Sequence, residues 1–234
     1  MEQFFANSAD FFYTNILAIL CAFACTIMGF IKRNKFKELK LMFIYPLSSL
    51  IQTIISYTFT YFYPNINIQK IDQYINLSIN LFLLIEFISI FIFFYQVVLI
   101  GKLKKTLKLI LSTYILIFFY LWYYYNPLLY YPFDLVFIQA LYVLLIAVIC
   151  LIDLFKNNPK RSLLSEPSLW IITGSLLYFL CTLPIYIARE FVFEANGALI
   201  EEGLYSINYI CYSIFFLLII RAYLCRPIAQ QLYF

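Results

Sequence analysis

One carboxylate, Glu86, stands near the middle of INLSINLFLLIEFISIFIFFYQVVLI (75–100), a stretch of nearly continuous apolar character. A helix rises about 1.5 Å per residue, so roughly 20 residues cross a ~30 Å hydrocarbon core. The stretch is long enough to span, which puts Glu86 near the bilayer midplane. An ionisable group there is costly unless it faces protein or water. Every other acidic residue falls near a span end or in a loop, so Glu86 is expected to be the one buried charge. With no cationic partner for it inside any span, it is expected as the neutral acid, donating a hydrogen bond.

Depth counting places Gln52 and Tyr178 at the same level, and the expected partner of Glu86 is one of these two. Such a contact either fastens helices together or forms part of a ligand or proton site. A second polar group, Gln139, Tyr142, Ser206 and Asn208, falls nearer the outer surface, where with a kink at Pro184 it could line an outward-facing pocket. No His is present, and Glu86 is the only carboxylate expected away from the membrane surfaces. Metal chemistry, a cofactor and an enzymatic centre are therefore not expected, since each needs a set of positioned ligands, acids or bases.

The elements that must hold these residues are seven apolar spans, at about 10–31, 41–63, 75–100, 107–125, 133–155, 168–188 and 203–223. The chain is 65% apolar and 12% charged with a mean hydropathy of +0.89, far from the average soluble domain. The expected fold is an all-α integral membrane protein, a single seven-transmembrane-helix bundle. Ala18, Ala22, Cys25 and Gly29 put small side chains on one face of the first span, where another backbone can approach closely. Tyr45, Ser48, Ser49, Gln52 and Ser56 share one arc of the second span. WYYYNPLLYYPF places Trp122, Tyr123, Tyr124, Tyr125, Tyr130 and Tyr131 as an aromatic belt at headgroup level. The N-terminus lacks the basic region of a cleaved signal peptide, and the first span is expected to be retained. The six cysteines lie within or just past spans, so no disulfide is expected.

Positive charge alternates with every crossing. The loops after spans one, three and five and the tail hold 14 of the 16 Lys and Arg. They include Lys32, Arg33, Lys35, Lys37 and Lys40 in KRNKFKELK, and Lys102, Lys104, Lys105 and Lys108 in GKLKKTLK. The positive-inside rule makes these segments cytoplasmic, which puts the N-terminus outside and the C-terminus inside. That sidedness accounts for the basic loops without nucleic acid.

NLFLLIEFISIFIFF in the third span and EPSLWIITGSLLYFLCTLPIYI in the sixth, with Asn80, Glu86, Pro167, Trp170, Gly174 and Tyr178, resemble the small seven-helix inner-membrane proteins of Bacteroidota. The early basic loop KRNKFKELK fits the same uncharacterised group, which is often encoded beside sensor histidine kinases. The resemblance implies a bacterial inner-membrane location and a sensory or signalling accessory role, with a partner such as a histidine kinase. It carries over no enzymatic residue. Other seven-helix families fit worse. The last span has no lysine for retinal, and YQVVLIGK replaces the acidic-Arg-Tyr triplet of animal-type receptors. Pro46 and Pro184 lie at opposite ends of spans that a two-repeat sugar transporter would match. The leading expectation is a receptor-like or signalling accessory protein in the bilayer. The alternatives are a small-solute or proton-coupled transporter using Glu86, and a structural subunit of a membrane complex.

Overall fold

The computed structural model describes residues 2–32, 39–59, 68–98, 101–125, 133–157, 163–192 and 197–225. They form seven α-helices: α1 Glu2–Lys32, α2 Ile44–Tyr57, α3 Ile68–Val97, α4 Gly101–Tyr125, α5 Phe133–Asn157, α6 Pro167–Val192 and α7 Gly197–Leu224. A 3-10 turn, Leu163–Ser165, leads into α6. Six helices are long and apolar enough to cross a membrane, which makes this a multi-pass membrane protein.

α2 is the exception. Its 14 residues rise about 21 Å, less than the hydrocarbon thickness. The expected second span began at Leu41. Residues 41–43 instead form turns closed by Met42 N–H to Leu39 O at 3.0 Å and Ile44 N–H to Leu41 O at 3.1 Å. Pro46 sits in the first helical turn, where its missing N–H leaves no intrahelical bond unmade. Residues 60–63 of the expected span lie outside the described residues.

GKLKKTLK is a second departure, because it folds as the start of α4 rather than as a loop. Lysines at a helix N-terminus oppose the helix dipole, so packing must decide. Leu107 is fully buried, Leu103 packs on the core, and Lys104 and Lys108 rest their ammonium groups 5.5 and 5.6 Å from the centre of the Tyr95 ring. A third departure is Asp153, four residues before the end of α5, which is 3% exposed. Glu86 is therefore not the only buried acid. Depth along a span does not reveal lateral cover by neighbouring helices, and that cover buries Asp153 near a helix end.

The helices close a ring in which α1 packs on α2 and α7, α2 on α3, α3 on α5, α5 on α6 and α6 on α7, with α4 laid outside against α3 and α5. Leu116 and Tyr123 on the free face of α4 are 69% and 90% exposed, as a lipid-facing helix requires. Ala18, Ala22, Cys25 and Gly29 are all buried. A Cβ on Gly29 would stand 2.6 Å from Phe43 Cβ and 3.0 Å from the Tyr223 hydroxyl. The small face of α1 thus receives the chain just before α2 and the end of α7 together.

Contacts at several levels fix the helix directions. Asn15 donates to the Tyr57 hydroxyl at 2.6 Å while Gly29 meets Phe43, so α1 and α2 are antiparallel. Tyr45 near Phe82 and Phe59 stacked on Tyr74 set α3 antiparallel to α2. Tyr223 donates to Leu39 O at 3.2 Å, which brings the C-terminal ends of α1 and α7 to one end of the bundle. Arg221 over Trp170, 5.1 Å from its ring centre, brings the start of α6 there too. Lys32, Lys40, Lys104, Lys105, Lys108 and Arg221 consequently share that end. Arg33, Lys35 and Lys37 lie outside the described residues, as does the side chain of Lys102.

Candidate functional site

Glu86 is 2% exposed, on the face of α3 turned into the ring. Its Oε2 accepts a hydrogen bond from Gln139 Nε2 on α5 at 2.6 Å. Gln139 Oε1 in turn accepts from the Tyr114 hydroxyl on α4 at 2.7 Å. The amide is oriented by these neighbours, since a phenol must donate to its carbonyl and the carboxyl oxygen must accept from its N–H₂. Tyr114 is held by Phe87, one residue along from the acid, whose ring stacks on it with centres 3.6 Å apart. Gln139 and Tyr114 are themselves 1% and 0% exposed.

The opposite side of the carboxyl is different. The Tyr45 hydroxyl of α2 lies beside it, and the Tyr212 hydroxyl of α7 neighbours both Tyr45 and Ser49. These groups are adjacent, yet Glu86 Oε1, Tyr45 OH and Tyr212 OH are all buried and none makes a hydrogen bond of proper geometry. Each such group costs about 1–3 kcal/mol relative to a satisfied one. Aromatic rings seal this side. Tyr45 lies 5.5 and 5.6 Å from Phe215 and Phe216, and Tyr178 of α6 lies 5.1 Å from Tyr212. Side chains of six helices, α3 included, thus form one network around the acid: it is bonded to α5 and through Gln139 to α4, makes no hydrogen bond toward α2 and α7, and is reached from α6 only through Tyr212.

The structure therefore redistributes the residues singled out from the sequence. The partner of Glu86 is Gln139 rather than Gln52, whose amide donates to Ser56 Oγ on its own helix at 3.0 Å. Tyr178 joins the ring cluster through Tyr212. The outer group does not gather as one lining: Gln139 reaches inward to Glu86, and the Tyr142 hydroxyl donates to Thr113 Oγ1 at 3.3 Å. Asn208 Oδ1 lies 3.2 Å from the Thr182 hydroxyl, which also donates to Tyr178 O at 2.7 Å. Ser206 is half-buried on α7.

Tyr114 and Tyr212 were not legible as site residues. Tyr114 alone left a trace: a phenol midway along a helix otherwise made for lipid needs a buried acceptor. Among the described residues no group of three or more His, Cys, Asp or Glu could hold a metal ion.

No protein-family model, curated protein or solved structure matches the chain.

Proposed function

We propose that the protein is a receptor-like or signalling accessory protein of a bacterial inner membrane, crossing it seven times with the N-terminus outside and the C-terminus in the cytoplasm. The observation that carries the reading is the network of side chains from six helices around Glu86, which is bonded toward one half of the ring and makes no hydrogen bond toward the other. A bundle so centred ties the two oxygens of one acid to different helices, Oε2 to Gln139 on α5 and Oε1 toward Tyr45 on α2. A cue that favours one of them shifts the packing of the helices attached to it. The basic end, with Lys32, Lys40, Lys104, Lys105 and Lys108, is the face on which a cytoplasmic partner such as a histidine kinase would read that shift.

Seven crossings require α2 to traverse the bilayer together with its flanking residues. The contact of Phe43, just before α2, with Gly29 at one level of α1 and that of Tyr57 with Asn15 at another support this. The parallel course of α1 and α7 supports an odd number of crossings. Small tags placed at the two termini in intact cells should label from opposite sides, the N-terminal tag from the periplasm. Labelling of both from one side would remove the seven-crossing arrangement.

The functional test is Glu86→Gln, which keeps the shape and a donor–acceptor pair while removing the acid. Captured from native membranes, the wild-type chain should bring a histidine kinase with it, and the variant should retain that partner while changing its autophosphorylation. The unpaired Oε1 favours a second reading, proton-coupled transport. Glu86-dependent acidification of proteoliposomes, with no kinase co-purifying, would establish transport in place of signalling.

A further inference from the structure

We infer that Cys181 of α6 and Cys211 of α7 form a redox-active dithiol, which a quinone dissolved in the bilayer oxidises to a disulfide that locks the two helices together. Both are free thiols, and the register of the antiparallel α6 and α7 sets them face to face. Tyr178 packs on Tyr212 with ring centres 5.1 Å apart, and the Thr182 hydroxyl lies 3.2 Å from Asn208 Oδ1. Cys181 falls between Tyr178 and Thr182, and Cys211 between Asn208 and Tyr212, so these two contacts bracket the thiols. The thiol groups are direct neighbours. One heptad away, the helices approach as closely as a disulfide needs. Packed helices repeat their contacts about every seven residues, and that step leads from Cys181 to Gly174 and from Cys211 to Leu218. A Cβ on Gly174 would stand 3.3 Å from Leu218 Cβ, and a disulfide joins Cβ atoms about 3.8 Å apart.

Depth and access select the oxidant. Each cysteine is the fifteenth residue of its helix, far from either water-facing end. Cys211 is buried and Cys181 half-buried, while Leu180, Ile207 and Ile210 around them are exposed to lipid. A water-soluble oxidant does not enter there, whereas a quinone partitions into hydrocarbon and meets Cys181 first. Oxidation breaks both S–H bonds and forms one S–S bond. The two electrons and two protons pass to the carbonyl oxygens of the quinone, which leaves as the hydroquinone. Pro184 removes the helical hydrogen bond to the carbonyl of Leu180, which loosens the backbone beside Cys181 and lets it settle into disulfide geometry. The bond fixes Tyr178 against Tyr212, the contact through which α6 reaches the network around Glu86. The dithiol is independent of what the bundle signals or carries.

The test uses the full-length protein, reduced and held in lipid nanodiscs without oxygen. It is mixed with decylubiquinone, denatured in N-ethylmaleimide and mapped by peptide mass spectrometry without reductant. The Cys181 and Cys211 peptides should be joined, with one hydroquinone formed per chain, while Cys21, Cys25, Cys150 and Cys225 carry maleimide. Dithiothreitol should separate the joined peptides. The oxidised protein should unfold at a higher temperature than the reduced one, since the bond restricts the unfolded chain, and Cys211→Ser should abolish that rise. Copper–phenanthroline serves as a second oxidant. Joining by copper–phenanthroline alone would overturn the quinone, and joining by neither would overturn the pair. A bond from Cys211 to Cys21, or between two chains, would overturn the pair as well. A quinone thioether on Cys181 would replace oxidation by addition, and an unchanged unfolding temperature of the joined protein would overturn the lock.

Discussion

Gln139→Leu should lower the stability of the bundle by about 2–4 kcal/mol, because it orphans two buried groups at once. Glu86 Oε2 loses the Gln139 donor, and the Tyr114 hydroxyl loses its acceptor. Interhelical hydrogen bonds in membranes often contribute less, near 1 kcal/mol, since the unfolded chain in the bilayer finds other partners. The larger range applies here because leucine satisfies neither orphan and both lie in a closed aromatic core. Thermal or denaturant unfolding in a fixed detergent measures it. The double variant Glu86→Leu with Gln139→Leu should cost less than the two single losses added together, since removing both ends of a bond leaves fewer groups unpaired. Additive losses would mean that the Glu86–Gln139 contact carries no energy of its own.

Gly29→Ala should be destabilising by about 1–3 kcal/mol, the ordinary cost of overfilling a packed core, even though alanine is the better helix former. The added Cβ would meet Phe43 Cβ at 2.6 Å and the Tyr223 hydroxyl at 3.0 Å. Phe43 Cβ is fixed to the backbone and cannot swing aside. Moving Tyr223 disturbs its hydrogen bond to Leu39 O. The control is Gly101→Ala at the start of α4, where an added Cβ meets nothing within 4 Å. That change should be neutral or slightly stabilising. Unfolding temperatures of the two variants in the same detergent decide the matter, and equal values would show that α1 does not hold α7 and the turn before α2 in this close approach. The wider consequence concerns the basic end, whose shape depends on the junction of α1, α7 and residues 39–43.

The hydrophobic lengths of six helices, the sorting of Lys and Arg and the small face of α1 were all legible, because each follows from local composition and helical period. A span needs apolar residues whatever its neighbours, and Ala18, Ala22, Cys25 and Gly29 lie on one face in any α-helix. The isolation of Glu86 in an apolar run likewise established that it must turn inward.

What it turns toward was decided only by the tertiary structure. Counting depth from span ends assumes that all spans start in one plane, and real helices tilt and protrude unequally. Glu86 lies 18 residues into α3, whereas Gln139 lies only 6 residues into α5, yet the two meet at 2.6 Å. Gln52, counted to the same depth as Glu86, instead bonds Ser56 within its own turn. The burial of Asp153 has the same origin. Period and length tell a residue's face and height on its own helix, but which helices stand beside that face, and how far they are displaced along it, is a property of the assembled ring.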